Sequence, residues 1–254
     1  MESNEAASND SYPFLVLTND DGWDAPGLAA LRQAAVSLGR CRIVAPIGPM
    51  SGCGHRVTTH EPLVVTRPSE GCTVVAGTPA DCVRLALHHL APGPNWVLAG
   101  INAGGNLGTD IHYSGTVAAV REAAIHGVPG IALSHYIARG RVVDWNRAGR
   151  WAEAILHRLM AQPWEPGTFW NVNFPHPELD QPEPDVVFCP VDPSPLPLRY
   201  IVEGDRSAYA GDYQSRRRRP GFDVDVCFGG RIAVTLIRVA ANPLELASSA
   251  CSTG

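Results

Sequence analysis

The chain contains no lysine: all 20 of its basic residues are arginine. A Walker A loop reaches its phosphates with a lysine, so P-loop nucleotide chemistry is excluded. Schiff-base catalysis on a lysine amine is excluded with it. Compositional bias of a GC-rich genome is the plain reading of the missing residue. Paired cysteine motifs are also absent. The seven cysteines, at positions 41, 53, 72, 82, 189, 227 and 251, are odd in number and include no CxxC. Neither a disulfide framework nor a zinc ribbon is suggested. Most sit in apolar runs, Cys82 in ADCVRLAL and Cys227 in DVDVCF, and read as small buried hydrophobes in a reducing, cytoplasmic setting. No stretch approaches the ~18 apolar residues of a membrane span. The N-terminal MESNEAASNDSYP, residues 1–13, lacks the basic end and apolar middle of a signal peptide and reads as a polar, flexible tail. Positive charge is not in excess either. A formal net charge of -5 argues against a protein that coats nucleic acid or an anionic membrane.

Three enzyme signatures are missing as well. No GxSxG marks a nucleophile elbow, and Asp20 and Asp21 are adjacent rather than two apart as in haloacid-dehalogenase sites. The glycines from Gly104 to Gly108 have the wrong first spacing for a dinucleotide fingerprint.

What is present is a chain of 254 residues, 45% hydrophobic and 18% charged, enough to bury a sizeable core in one large domain or a domain with an appended part. The first part alternates apolar strand-like runs with helical spacing. Strands are predicted at Phe14–Thr18, Cys41–Pro46, Leu63–Thr66, Cys72–Val75, Trp96–Ala99 and Gly130–Ser134. Helices are predicted at Gly27–Leu38, Pro79–Leu90, Val117–His126 and Trp145–Met160. Continuous apolar strands alternating with helices predict an α/β fold: a doubly wound, mostly parallel sheet over residues 14–162. From about Pro163 prolines crowd and no helix is convincing. Residues 163–254 are read as a β-rich C-terminal extension that completes the sheet, with an extended excursion around Tyr200–Asp225.

In such sheets ligands bind beyond the carboxyl ends of the strands. Three irregular loops fall there, those carrying Asp20–Asp21, Ser51 and Asn102. Two carboxylates, a hydroxyl and amide oxygens (Asn102, Asn106) are hard donors suited to one Mg²⁺, Mn²⁺ or Ca²⁺ ion. Such an ion would relieve the repulsion between the adjacent acids. Ser114-Gly115-Thr116 stands at a helix start, where free N–H groups favour a phosphate. Each feature also has a plainer reading. Asp-Asp-Gly reads as a turn, Ser114 and Thr116 as N-caps, His55 and His60 as structural, His88-His89 as surface-facing or packed, and Arg216–Arg219 as a solvated loop.

Taken together, LTNDDGWDAPG, VAPIGPMSGCGHRVT, GTPADCVRLAL, AGINAGGNLGTDIHYSGTVAAVREAA and the later WNVNFP resemble the survival protein E (SurE) nucleotidases, in that family's order and spacing. The resemblance implies a Rossmann-like core and a metal-dependent phosphatase acting on nucleoside 5′- and 3′-monophosphates, with polyphosphate as a further substrate of some members. It implies metal ligation by Asp20, Asp21, Ser51 and Asn102, and catalysis by the acidic pair, Asp20 foremost. Asn106, Ser114, Gly115 and Thr116 match the positions around the phosphate. It also implies a homodimer or tetramer built through C-terminal segments. Three departures stand out: the loop before Ser51 reads IGPM without the usual charged pair, RIAVTLIRV lacks the usual proline, and the tail after Val239 is short and rich in small residues. The rival readings are a broad acid phosphatase or exopolyphosphatase, and a non-catalytic nucleotide or anion sensor.

Overall fold

Leu15, Val16 and Leu17 are all fully buried, yet they face opposite ways. Side chains alternate along a strand, so a strand apolar at every position must be covered on both faces. That is the situation of β1 (Phe14–Thr18) at the middle of a nine-stranded sheet. The computed structural model describes residues 12–178 and 181–239; the N-terminal stretch 1–11 and the segment 240–254, with Cys251, lie outside them.

After β1 come α1 (Pro26–Ala35), β2 (Arg40–Pro46), β3 (Val65–Ser69) and β4 (Cys72–Val75). Next in the chain are α2 (Pro79–Leu85), which continues through a π-helical turn at Ala86–Leu90, and β5 (Trp96–Asn102). A 3₁₀ turn at Gly108–His112 leads into α3 (Gly115–Ile125), β6 (Gly130–His135), α4 (Trp145–Met160) and β7 (Thr168–Phe174). The remainder is β8 (Val186–Phe188), β9 (Tyr200–Glu203), β10 (Arg206–Tyr209), α5 (Asp223–Phe228) and β11 (Ile232–Arg238). The sheet runs β3-β4-β2-β1-β5-β6-β7-β11-β8, with β4, β2, β1, β5, β6 and β7 mutually parallel and β3 and β11 antiparallel to their inner neighbours. The chain is thus an α/β protein built on a mostly parallel sheet.

Local chemistry accounts for the helices. Pro26 opens α1, where its missing N–H costs nothing. Thr78 and Asp81 form a capping box on α2, a feature worth about 1 kcal/mol. Asp144 accepts the N–H groups of Asn146 and Arg147 to start α4, whose Trp151, Ala152, Ile155, Leu156 and Leu159 recur at helical spacing and are buried. Helices α1 and α4 share one apolar core with Leu15 and Leu17; α2 and α3 share the other with Val16.

The structure departs from the sequence reading at several bounds and in two elements: α1 ends at Ala35 rather than Leu38, and β5 runs on to Asn102 rather than ending at Ala99. β3 begins at Val65 rather than Leu63, and the extended excursion is a two-stranded hairpin, β9–β10, apart from the main sheet. A helix, α5, occurs where none is predicted. DVDVCF alternates polar and apolar residues like a strand, and six residues are too few to show helical spacing. Tertiary contacts decide it: Val224, Val226 and Cys227 pack with Leu107, Tyr136 and Ala233 in a third cluster beside the Asn102 loop.

Candidate active site

The chain leaves β1 towards β2 on one side, and β5 pairs with β1 on the other. At such a reversal the connections diverge and leave a crevice at the carboxyl ends of the strands. Asp20 and Asp21 continue from β1 into this crevice, and Asn102 ends β5 beside them. Asn19 Nδ2 donates to Gly22 O at 2.7 Å to close the acidic turn, and Gly22 takes a φ of +110°, which favours glycine.

Asp20 is only 5% exposed. Thr116 Oγ1 donates to Asp20 Oδ1, and the Thr116 N–H also reaches the carboxylate. Burial pushes the Asp20 pKa up to about 6; the Thr116 hydroxyl opposes this, and the negative charge of Asp21 adds to it. Burial raises Asp21 as well, against a 3.2 Å hydrogen bond from the Ala103 N–H to Oδ2. Burial thus raises both acids, most strongly Asp20.

The Asp20 carbonyl accepts the Met50 N–H at 2.7 Å, which ties the turn to the Ser51 loop. That loop is pinned further along. His55 Nε2 lies 2.7 Å from Glu122 Oε2, and Thr58 donates from N and Oγ1 to Asp81, each at 2.8 Å. Burial opposes the charge on Glu122, but hydrogen bonds from His55 and His126 outweigh it and hold the carboxyl below its usual range. Ser51 itself is exposed at the rim.

Asn102 donates from Nδ2 to Gly104 O at 2.8 Å, leaving its amide oxygen as the group available to a cation. Asn106 is clamped on every side. Its N–H donates to Asn173 Oδ1 at 2.7 Å, and its carbonyl accepts Asn171 Nδ2 at 2.9 Å and Asn173 Nδ2 at 3.1 Å. Asn106 Nδ2 donates to Ser134 Oγ at 2.7 Å and keeps a second hydrogen. Ser114 caps α3 by accepting the Val117 N–H at 3.0 Å.

Asp20, Asp21, Ser51, Asn102, Asn106 and Ser114 all line one cavity of about 350 Å³. Gly115 and Thr116 stand behind it. Thr116 is fully buried with its hydroxyl on Asp20, and Gly115 packs against the Asp20 side chain. Gly52, Ala103, Asp110, Tyr113 and Leu196 complete the walls, and among the described residues no arginine or histidine lines the cavity. A phosphate entering between these carboxylates needs a cation. The donors in place, two carboxylates, a hydroxyl and an amide oxygen, fit a hard divalent ion.

The sequence model of the family described as survival protein SurE matches residues 15–191. The chain belongs to the SurE family. A Nostoc sp. protein bearing a provisional 5′-nucleotidase name is 51% identical over 225 residues, 89% of this chain and 99% of that one. The 5′-nucleotidase SurE of Paramagnetospirillum magneticum is 35% identical over 237 residues, 87% of this chain and 88% of that one. The crystal structure of SurE protein from Aquifex aeolicus is similar with a TM-score of 0.82 at 30% identity, covering 94% of this chain and 98% of that chain.

Several residues around the cavity escape a reading of the sequence. Asn171 and Asn173, two apart on an otherwise apolar strand, carry the one usable signal: a polar pair on a single face of β7. Asn173→Ala is expected to leave the buried Asn106 N–H without its acceptor and to lower stability by about 2 kcal/mol in urea unfolding. An unchanged midpoint would mean that the clamp does not stabilise the fold. The arginine run also differs from its expected state. Arg216 is 3% exposed and paired with Asp110, so the solvated-loop reading fails for it, while Arg217, Arg218 and Arg219 are exposed. A run of like charges does not reveal which member meets a buried carboxylate.

Proposed function

We propose that the protein is a divalent-metal-dependent phosphomonoesterase that hydrolyses nucleoside 5′- and 3′-monophosphates to nucleoside and phosphate. The observation that carries this reading is the convergence of Asp20, Asp21, Ser51 and Asn102 on one acidic cavity beside Asn106 and the start of α3. Family membership and the 5′-nucleotidase names of relatives support the substrate class.

Asp20, Asp21, Ser51 and Asn102 would hold the ion, Mg²⁺ or Mn²⁺. When bound, a divalent cation neutralises phosphoryl oxygens and lowers the pKa of a bound water. The chain supplies the rest. Thr116 fixes the Asp20 carboxylate so that its orientation needs no adjustment as charge develops. Asn106 offers its remaining amide hydrogen to a phosphate oxygen, from a backbone that Asn171 and Asn173 hold still. Ser114 sets the first turn of α3, whose positive dipole end faces the same cavity. Tyr113, 60% exposed, and Leu196 give the nucleoside apolar surface at the mouth. The six described cysteines are all free thiols, which supports a reducing, cytoplasmic setting. Among the described residues no helix is long and apolar enough to cross a membrane.

The test is phosphate release from AMP and GMP in EDTA, Mg²⁺ and Mn²⁺. Release that requires metal is expected. Release from polyphosphate without preference for nucleotides would favour the broad phosphatase or exopolyphosphatase. Nucleotide binding without turnover under any metal would favour the sensor.

A further inference from the structure

Arg216 lies beyond the stretch that the family model matches, yet it is buried against the wall of the cavity. Its Nη1 donates to Asp110 Oδ2 at 2.7 Å and its Nη2 to Leu107 O at 3.2 Å. The guanidinium rests 4.9 Å from the Tyr213 ring, and the Tyr213 hydroxyl donates to the same Asp110 Oδ2 at 2.6 Å. Gly108 bends beneath it with a φ of +55°; a Cβ there would sit 2.9 Å from Arg216 Nη2. One planar fork thus grips the 106–114 loop at two points, Leu107 and Asp110.

Those two points hold the residues on either side of them. Asn106 precedes Leu107 directly, and the Asp110 carbonyl accepts the N–H groups of Tyr113 at 2.9 Å and Ser114 at 3.0 Å. The acidic pair and Ser51 hang on other elements, the turn after β1 and the loop after β2. The two sides meet at Thr116 on Asp20 and at the Gly54 N–H, 3.0 Å from Tyr113 O, and Arg216 touches only the side that carries Asn106 and Ser114.

We infer that Arg216 is a positioning residue for the phosphate-facing half of the site, an inference that rests on the phosphomonoesterase reading. Through Asp110 and Leu107 it sets where Asn106, Ser114 and the first turn of α3 meet a phosphate, and it bonds to none of the residues that would hold the ion.

The experiment measures Mn²⁺ binding, inorganic phosphate binding at saturating Mn²⁺, and kcat and KM for AMP. It compares the full chain with Arg216→Ala, Arg216→Lys and Tyr213→Phe. Arg216→Ala is expected to weaken phosphate binding and raise KM by about tenfold, with Mn²⁺ affinity held within about twofold. Arg216→Lys keeps the charge on Asp110 but loses the fork, and falls between. Tyr213→Phe removes one donor and weakens phosphate by about threefold, which decides the matter even where Arg216→Ala fails to fold. Phosphate binding unchanged in all variants, or Mn²⁺ and phosphate affinity falling in parallel, overturns the inference. A wild-type protein that binds Mn²⁺ and phosphate without hydrolysing AMP sinks the nucleotidase reading alone, because the phosphate arm still decides Arg216. A wild-type protein that binds no phosphate sinks both.

Discussion

Asparagine in place of Asp21 is expected to lower metal-dependent phosphate release from AMP by about 1,000-fold without unfolding the protein. The side chain is only half-buried, and its one hydrogen bond, from the Ala103 N–H at 3.2 Å, is kept by an amide oxygen of the same shape. Under the proposed function, what is lost is one of two negative charges that would face a divalent ion, an interaction on the order of 4 kcal/mol in the transition state. Stability separates this from general damage. Asp21 adds to the forces that push the Asp20 pKa up, so its neutral replacement relieves repulsion when no metal is present. In EDTA the thermal midpoint of Asp21→Asn is therefore expected at or above that of the wild type. Added Mn²⁺ at 100 times its Kd is expected to stabilise the wild type by about 2.7 kcal/mol, and that increment is expected to shrink in the variant. Thermal melts with and without metal read both effects; a variant that keeps its turnover and its Mn²⁺ response would refute the role given to the pair.

Gly115→Ala is expected to cost about 100-fold in kcat/KM for AMP. Helix propensity points the other way, since alanine is favoured over glycine by up to about 1 kcal/mol and Gly115 opens α3 in ordinary helical geometry. Contacts decide the sign. A Cβ at this position would lie 2.8 Å from Asp20 Cβ, 3.0 Å from Asp20 Oδ2 and 3.1 Å from Cys53 Sγ. Asp20 Cβ is fixed to its backbone and cannot rotate away, and the carboxylate is held by Thr116. The acid must shift bodily, and displacements approaching 1 Å at a reacting group cost about 100-fold. Circular dichroism and the thermal midpoint are expected to stay close to wild type while kcat/KM falls. Full activity in Gly115→Ala would mean that Asp20 tolerates movement and is not placed by this contact.

The doubly wound sheet was legible in the chain alone. Buried parallel strands must be apolar at every position, as LVL at Leu15–Leu17 and VLAGI at Val97–Ile101 are, and their covering helices must carry the 3.6-residue spacing seen in α1 and α4. The same pattern brought the Asp20, Ser51 and Asn102 loops to one edge, because successive strands of such a sheet end on the same side. Their surroundings came from packing. Thr116 turned its hydroxyl to Asp20 from 96 positions away, Asn173 clamped Asn106 across 67, and Arg216 found Asp110 across 106. α5 formed from a strand-like hexapeptide because a third apolar cluster accepted its Val224, Val226 and Cys227. Local periodicity records which face of an element is buried. It holds no trace of which distant polar group will meet a given hydroxyl, amide or guanidinium, because that depends on how the finished elements pack.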